Sequence, residues 1–137
     1  MRLSNMADYA VVVMSAASRH CGGLRTSATA LATETSIALP TVQKLVSILS
    51  KGGLLRSVRG AGGGIQLARP AAAITLADII EAVEGPIAMT NCINTATCNC
   101  SIESDCHVKP HWAIVNNAVR GALSDVSLSS LAAGRAA

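Results

Sequence analysis

Four of the five cysteines in this 137-residue chain, Cys92, Cys98, Cys100 and Cys106, fall within the stretch CINTATCNCSIESDC. That stretch is rich in Asn, Thr and Ser and poor in large apolar side chains, so it reads as a loop. Thiolates crowded on a polar loop are soft ligands, suited to iron–sulfur clusters, zinc or copper(I). Disulfide pairing is the competing chemistry. The start, Met1-Arg2-Leu3-Ser4-Asn5, resembles no secretory leader, so a cytoplasmic chain with reduced thiols doing metal or redox work is expected. A zinc site would more commonly show paired C-x-x-C knuckles, which are missing here. A thiol oxidoreductase would have to use Cys98-Asn99-Cys100, without the usual two-residue spacer or a helix N-terminus to lower a thiolate pKa. No nucleophile–base constellation appears elsewhere, so the chain is not expected to be an enzyme. Cys21 stands alone and reads as a structural thiol.

The elements that must position this loop are built from an unusual composition. Half the residues are apolar, but there is one Trp, one Tyr and no Phe, and much of the apolar share is alanine. Alanine buries little surface, so the core is thin and burial between chains would compensate. No apolar run reaches the ~20 residues a membrane span needs. The net charge of +3 is unevenly distributed. Residues 1–70 carry eight Lys and Arg against Asp8 and Glu34, a net of +6, whereas residues 71–137 carry three basic and six acidic groups, a net of −3. Such asymmetry points to a polyanion partner for the first half.

Leu3, Met6, Ala10, Val13, Met14 and Ala17 recur at helical spacing and predict an amphipathic helix over about 4–19. After a turn at Cys21-Gly22-Gly23, Ser27 can cap a short second helix that ends at Thr35-Ser36. Pro40 suits the first turn of a third helix, which buries Val42, Leu45, Val46 and Leu49 and stops at Lys51-Gly52-Gly53. Two short helices joined by a tight turn form a helix-turn-helix pattern, with Thr41, Gln43, Lys44 and Ser47 on the exposed face. Those residue types reach base edges and phosphates.

Leu54–Val58 and Ile65–Ala68 read as two strands around the glycine-rich turn Arg59-Gly60-Ala61-Gly62-Gly63-Gly64. This is a wing, with Arg56 and Arg59 near its tip and glycines such as Gly62 allowing close backbone approach. A nucleotide-phosphate loop is the rival, but no Gly-Lys-Ser/Thr ending is present. Arg69-Pro70 and three alanines form a connector. Thr75-Leu76-Ala77-Asp78 is a capping box opening a helix that buries Leu76, Ile79, Ile80 and Val83 and ends at Gly85-Pro86. Beyond the cysteine loop, Trp112, Val115, Val119, Ala122 and Leu123 mark a longer helix with a thin apolar seam, suited to packing on a partner chain. Ser127 caps a last short helix, and residues 134–137 are expected to fray.

MRLS at the start, DYAV at 8–11, SVRGAGGG at 57–64, EAVEGPIAMTNC at 81–92, CSIESDC at 100–106 and HW at 111–112 together resemble the bacterial winged-helix regulators of the IscR and NsrR type. Within them the chain looks most like the subgroup controlling the SUF cluster-assembly operon. The resemblance covers nearly the whole chain. It implies a mainly helical fold with a small β-hairpin, a winged helix-turn-helix over 1–70, and a helix, a cluster loop at 91–107 and a dimerisation helix over 71–137. It further implies a cytoplasmic homodimer that binds promoter DNA, carries a 2Fe–2S or 4Fe–4S cluster and controls cluster-assembly genes. A nitric-oxide-sensing repressor and a zinc-binding winged-helix regulator are the alternatives.

The family's five-residue separation of the second and third cysteines matches Cys100 and Cys106, so the resemblance makes Cys92, Cys100 and Cys106 the ligands and Cys98 an alternative. The histidine that IscR-type proteins place three residues after the last cysteine is Lys109 here, which cannot ligate. Asp8, at the position of the NsrR-type carboxylate supplied by the partner subunit, and His107 are then the candidates for the fourth site, with His111 nearby. Carried onto the helix-turn-helix and wing, the resemblance makes Pro40, Thr41, Gln43, Lys44, Arg56, Arg59 and Gly62 the DNA-contacting set.

Overall fold

Ser4 starts the first helix: its hydroxyl accepts from the Ala7 amide at 3.1 Å, supplying one of the acceptors that the first helical turn lacks. The computed structural model describes residues 2–20, 25–60, 63–89 and 107–133. All five cysteines, Gly62 and the C-terminal residues expected to fray lie outside the described residues. Six helices and one hairpin occur among those described: α1 (Asn5–Ser18), α2 (Ala28–Thr35), α3 (Leu39–Lys51), β1 (Leu55–Val58), β2 (Gly64–Leu67), α4 (Leu76–Glu84), α5 (Lys109–Ser124) and α6 (Leu128–Ala132). The architecture is the expected one, mainly helical with a two-stranded antiparallel sheet. The alanine connector is a short 3-10 turn, Ala71–Ala73.

The caps expected from sequence form. Ser27 accepts from the Ala30 amide, and Thr75 and Asp78 make the reciprocal capping box at 3.1 and 3.0 Å. Ser127 accepts from the Ser130 amide. Between α2 and α3 the chain turns in three residues, with Ser36 left-handed at φ 62°. The Thr35 hydroxyl accepts from the Ile37 amide at 3.4 Å and steadies that turn.

Burial follows the helical periods. Val42, Leu45, Val46 and Leu49 of α3 face inward against Ala10, Val13, Met14 and Ala17 of α1, and Leu31, Ile74, Ile79 and Leu128 complete one continuous cluster. Helix α1 packs on α2, α3, α4, α6 and β2. In α4, Ile79 and Ile80 are buried as expected and Ala77 joins them, whereas Leu76 and Val83 are half-buried. They flank the inner stripe rather than lie on it. A paired segment ties the starts of α4 and α6: the Leu76 amide donates to Val126 O at 2.9 Å and the Leu128 amide to Ile74 O at 2.8 Å.

Side-chain ties join elements distant in sequence. Glu34 of α2 accepts from Arg19 Nη1 at 3.1 Å and faces His20 Nε2 at 2.9 Å. The hydrogen bond with His20, followed by that with Arg19, holds the Glu34 carboxyl below its ordinary range despite the opposing effect of burial. Glu81 of α4 accepts from Arg120 of α5 through Oε1, at 3.1 and 2.8 Å, and from the Ile87 amide through Oε2 at 3.1 Å. Asn116 of α5, only 5 % exposed, donates to Ile87 O at 3.0 Å and accepts from the Met89 amide at 2.8 Å. The segment 87–89 thus obtains hydrogen bonds from side chains of two helices.

Two stability outcomes follow from this packing. Leu49→Ala should cost about 2–5 kcal/mol, because Leu49 is fully buried and truncation leaves a cavity under the α1–α3 seam. Asn116→Leu keeps the volume but leaves Ile87 O and Met89 N without their partner, costing about 1–3 kcal/mol. Urea midpoints at unchanged m-value would register both losses. An Asn116→Leu protein as stable as the parent would show that the amide clamp contributes nothing net.

Candidate functional site

Helix α3 leaves the outer face that carries Pro40, Gln43, Lys44 and Ser47 exposed. Its N-cap, Ala38, makes no side-chain capping bond, and Pro40 lies in the first turn, so the first-turn amides remain available to an anion. Gln43, Lys44 and Ser47 are exposed as expected. Thr41 is half-buried instead, because it sits one turn before the inward-facing Leu45. Helix α3 begins at Leu39, one residue before Pro40, since proline is accepted anywhere in a first turn that needs no donor.

The wing is held to the helix-turn-helix at three places. The Leu54 amide donates to Leu49 O at 3.0 Å, and the Ala68 amide to Leu54 O at 3.0 Å, which joins the hairpin base to the end of α3. The third tie was not expected from the sequence. Thr26 pairs with Ile65 in an antiparallel bridge, with N–O distances of 3.0 and 2.7 Å. That bridge brings Arg25, exposed, against the backbone of Gly64 at the start of β2. At the turn, the Gly63 amide donates to Gly60 O at 2.8 Å. A Cβ at Gly63 would fall 2.2 Å from Val58 O, so no side chain fits there. Arg59 flanks this turn, whereas Arg56 lies inside β1, directly opposite Gln66. Arg56 is therefore farther from the tip than its position in sequence suggested.

Apart from Arg2 at the start of the chain, and Arg25 and Lys109, the basic side chains of the described residues divide into two groups. Arg19 pairs with Glu34, Arg69 with Asp78 at 3.5 Å, and Arg120 with Glu81. Among the described residues, Lys44, Lys51, Arg56 and Arg59 pair with no carboxylate. These four lie on α3, at its end, and on the wing. Uncompensated cations gathered on a helix-turn-helix and wing form the electrostatic footprint of a duplex-binding surface.

On the other side, the described chain ends at Met89 with its backbone pinned by Glu81 and Asn116, three residues before Cys92. It resumes at His107, one residue after Cys106, and enters α5 at Lys109. Asp8 is exposed in the first turn of α1, and His107 and His111 are exposed. Among the described residues no three His, Cys, Asp or Glu side chains gather into a metal site. The ligand assignment for Cys92, Cys98, Cys100 and Cys106 falls outside them. Sequence reasoning missed Arg25, Gln66 and Asn116. Asn116 carried a usable signal, a single amide in line with the apolar seam of α5; the bridge that brings Arg25 to the wing has no local signature.

Comparisons with known proteins agree with this architecture. The family model Rrf2, described as "Iron-dependent Transcriptional regulator", matches residues 3–134. The HTH-type transcriptional regulator IscR of Photorhabdus laumondii is 31% identical over 131 residues, covering 96% of this chain and 79% of that protein. Among solved structures, the global cysteine regulator CymR of B. subtilis superposes with a TM-score of 0.79 at 28% identity, over 99% of both chains. The T. potens IscR structure does so with 0.73 at 27% identity, over 98% of this chain and 88% of its own. These are regulators of transcription rather than enzymes, and among the described residues no helix is long and apolar enough to cross a membrane. With a winged helix-turn-helix in which Lys44, Arg56 and Arg59 pair with no carboxylate among the described residues and a family match over residues 3–134, the chain belongs to the Rrf2 family of transcriptional regulators.

Proposed function

We propose that this regulator binds promoter DNA as a homodimer and reads iron–sulfur status, or oxidative and nitrosative stress, through a cluster on its cysteine loop. Residues 1–70 form the DNA-binding part, and 71–137 the sensing and dimerisation part. The observation that carries the reading is the set of uncompensated cations Lys44, Arg56 and Arg59 on a helix-turn-helix and wing, in a chain whose cysteine loop leaves directly from the segment pinned by Glu81 and Asn116. Gln43 and Thr41 read base edges, while Lys44, Arg56 and Arg59 contact phosphate or the minor groove, and Pro40 and Gly62 lie close to the backbone of the duplex.

The donor chemistry of the loop suits a cluster, since thiolates are the usual ligands of iron–sulfur centres. Cys92, Cys100 and Cys106 are the proposed ligands, with Cys98 the alternative. Asp8, exposed and without a side-chain partner among the described residues, or His107 supplies the fourth. A bound cluster would supply sensitivity to oxidants, nitric oxide and iron supply. The dimer is supported by apolar surface along the start of α5, where Val108 at the N-cap, Trp112 and Val115 are exposed on one face. Such a stripe is more than isolated surface apolars account for.

A second reading is favoured by the fit to CymR, the global cysteine regulator of B. subtilis: the same fold responding to a signal other than a cluster. Anaerobic purification separates the two. A brown protein with visible absorbance, iron and sulfide supports the cluster; a colourless zinc-containing or metal-free protein removes it.

Two outcomes test the residues. Lys44→Ala should weaken binding to all duplexes and reduce the slope of log K against log salt by about 1, because one phosphate contact is lost. Gln43→Ala should instead relax preference at one base position, at about 1–3 kcal/mol. Uniform losses in both would remove the base-reading role from Gln43. For the loop, Cys92→Ala, Cys100→Ala and Cys106→Ala should abolish visible absorbance and bound iron, whereas Cys98→Ala and Cys21→Ala retain them and Asp8→Ala makes the cluster more labile. The three essential variants should also melt lower, because a ligand bound only to the folded state stabilises it. Cluster retention in Cys100→Ala with loss in Cys98→Ala would move the ligand two residues upstream.

A further inference from the structure

Register in the wing places Arg56 directly opposite Gln66. Their strand neighbours Leu55 and Ile65 are buried, and successive side chains on a strand alternate in direction. Arg56 and Gln66 therefore share the outward face of the hairpin. With the Gln66 amide turned so that its oxygen faces the guanidinium, Oε1 accepts from Arg56 Nε at 3.1 Å and also from Nη2. The opposite orientation would set donors against donors, so hydrogen bonding selects this one. One carbonyl oxygen thus grips two N–H groups of a rigid fork, which leaves further guanidinium donors for another partner.

We propose that Gln66 is a positioning residue for DNA contact: it holds the Arg56 guanidinium on the outer face of the wing, ready to meet a phosphate of the duplex. The inference rests on the reading of the wing as a DNA contact and deepens it by a residue that reading did not include. The physical reason is entropy. A free arginine loses rotamer freedom when it binds, and a side chain already held in place loses less. A glutamine suits this task better than a carboxylate would. It grips the guanidinium as an acceptor, yet it adds no negative charge to oppose the approaching phosphate and leaves the charge of Arg56 uncancelled.

The test is a double-mutant cycle on the full chain, using a random-sequence DNA duplex followed by fluorescence anisotropy across a salt series. A phosphate contact does not require the operator. Gln66→Met keeps side-chain length without the acceptor, and Gln66→Thr serves as a second variant with strong strand preference. Each should weaken binding about three- to tenfold, a usual size for contacting side chains, at unchanged Tm. In an Arg56→Ala background neither should weaken it further. The Arg56 Nε–H signal in an arginine-selective NMR spectrum should broaden by faster solvent exchange in Gln66→Met, which reports loss of the bond itself, while the Arg56-dependent loss of affinity at unchanged Tm is what a merely structural role would not produce. Equal losses by Gln66→Met with and without Arg56, or an unchanged Nε–H signal, would overturn the positioning role while leaving the wing's DNA contact intact. Full affinity in Arg56→Ala itself would overturn the contact of Arg56 with DNA as well.

Discussion

Close approach to the small side chains of α1 sets the terms for the rest of the molecule. Ala7, Ala10, Ala16 and Ala17 are buried along with Val13 and Met14, so five other elements can lie against one fourteen-residue helix. A bulkier face would hold them apart. The compensation lies in how the larger side chains are spent: Leu31, Leu45, Leu49, Leu54, Ile74, Ile79 and Leu128 come from the surrounding elements and point inward. Alanine removes little area from water, so the interior is economical rather than deep. The apolar residues left outside on α5 are what a second copy would cover in the proposed dimer.

That arrangement has a consequence for communication. Helix α4 packs on both α1 and α3, and its Glu81 also fastens α5 through Arg120 and the 87–89 segment through the Ile87 amide. Asn116 grips the same segment from α5. A displacement of the cysteine loop would therefore pull on two helices, one of which lies against the helix bearing Gln43 and Lys44. Contiguity of this kind permits coupling. Coupling itself requires two arrangements of these elements that ligand binding biases differently.

Charge is organised on the same principle of opposite ends. Carboxylates occur where helices must be joined, Glu34 between α1 and α2 and Glu81 between α4 and α5. Among the described residues none pairs with Lys44, Arg56 or Arg59. Exposed ion pairs contribute little to stability, so omitting them from the wing costs the fold little, while it leaves positive potential for a polyanion.

The sequence alone determined what depends on a few adjacent residues. Ser4, Ser27, Thr75 with Asp78, and Ser127 cap their helices because a side-chain oxygen needs only the backbone three residues on. The periods of α1 and α3 select the buried faces, and the glycines at 60, 63 and 64 turn the wing. Most of the helix-turn-helix was legible for this reason, and so was the exposed face of α3 that carries Gln43 and Lys44. Tertiary structure decided what depends on residues far apart in the chain. It brought Thr26 to Ile65, and with it Arg25 to the wing; it set Gln66 against Arg56; it half-buried Thr41; and it sent Asn116 to the backbone of Ile87 and Met89. No local pattern encodes these pairings, because each follows from which faces met when the apolar stripes were buried together, leaving polar groups to find partners among whatever that burial brought within reach.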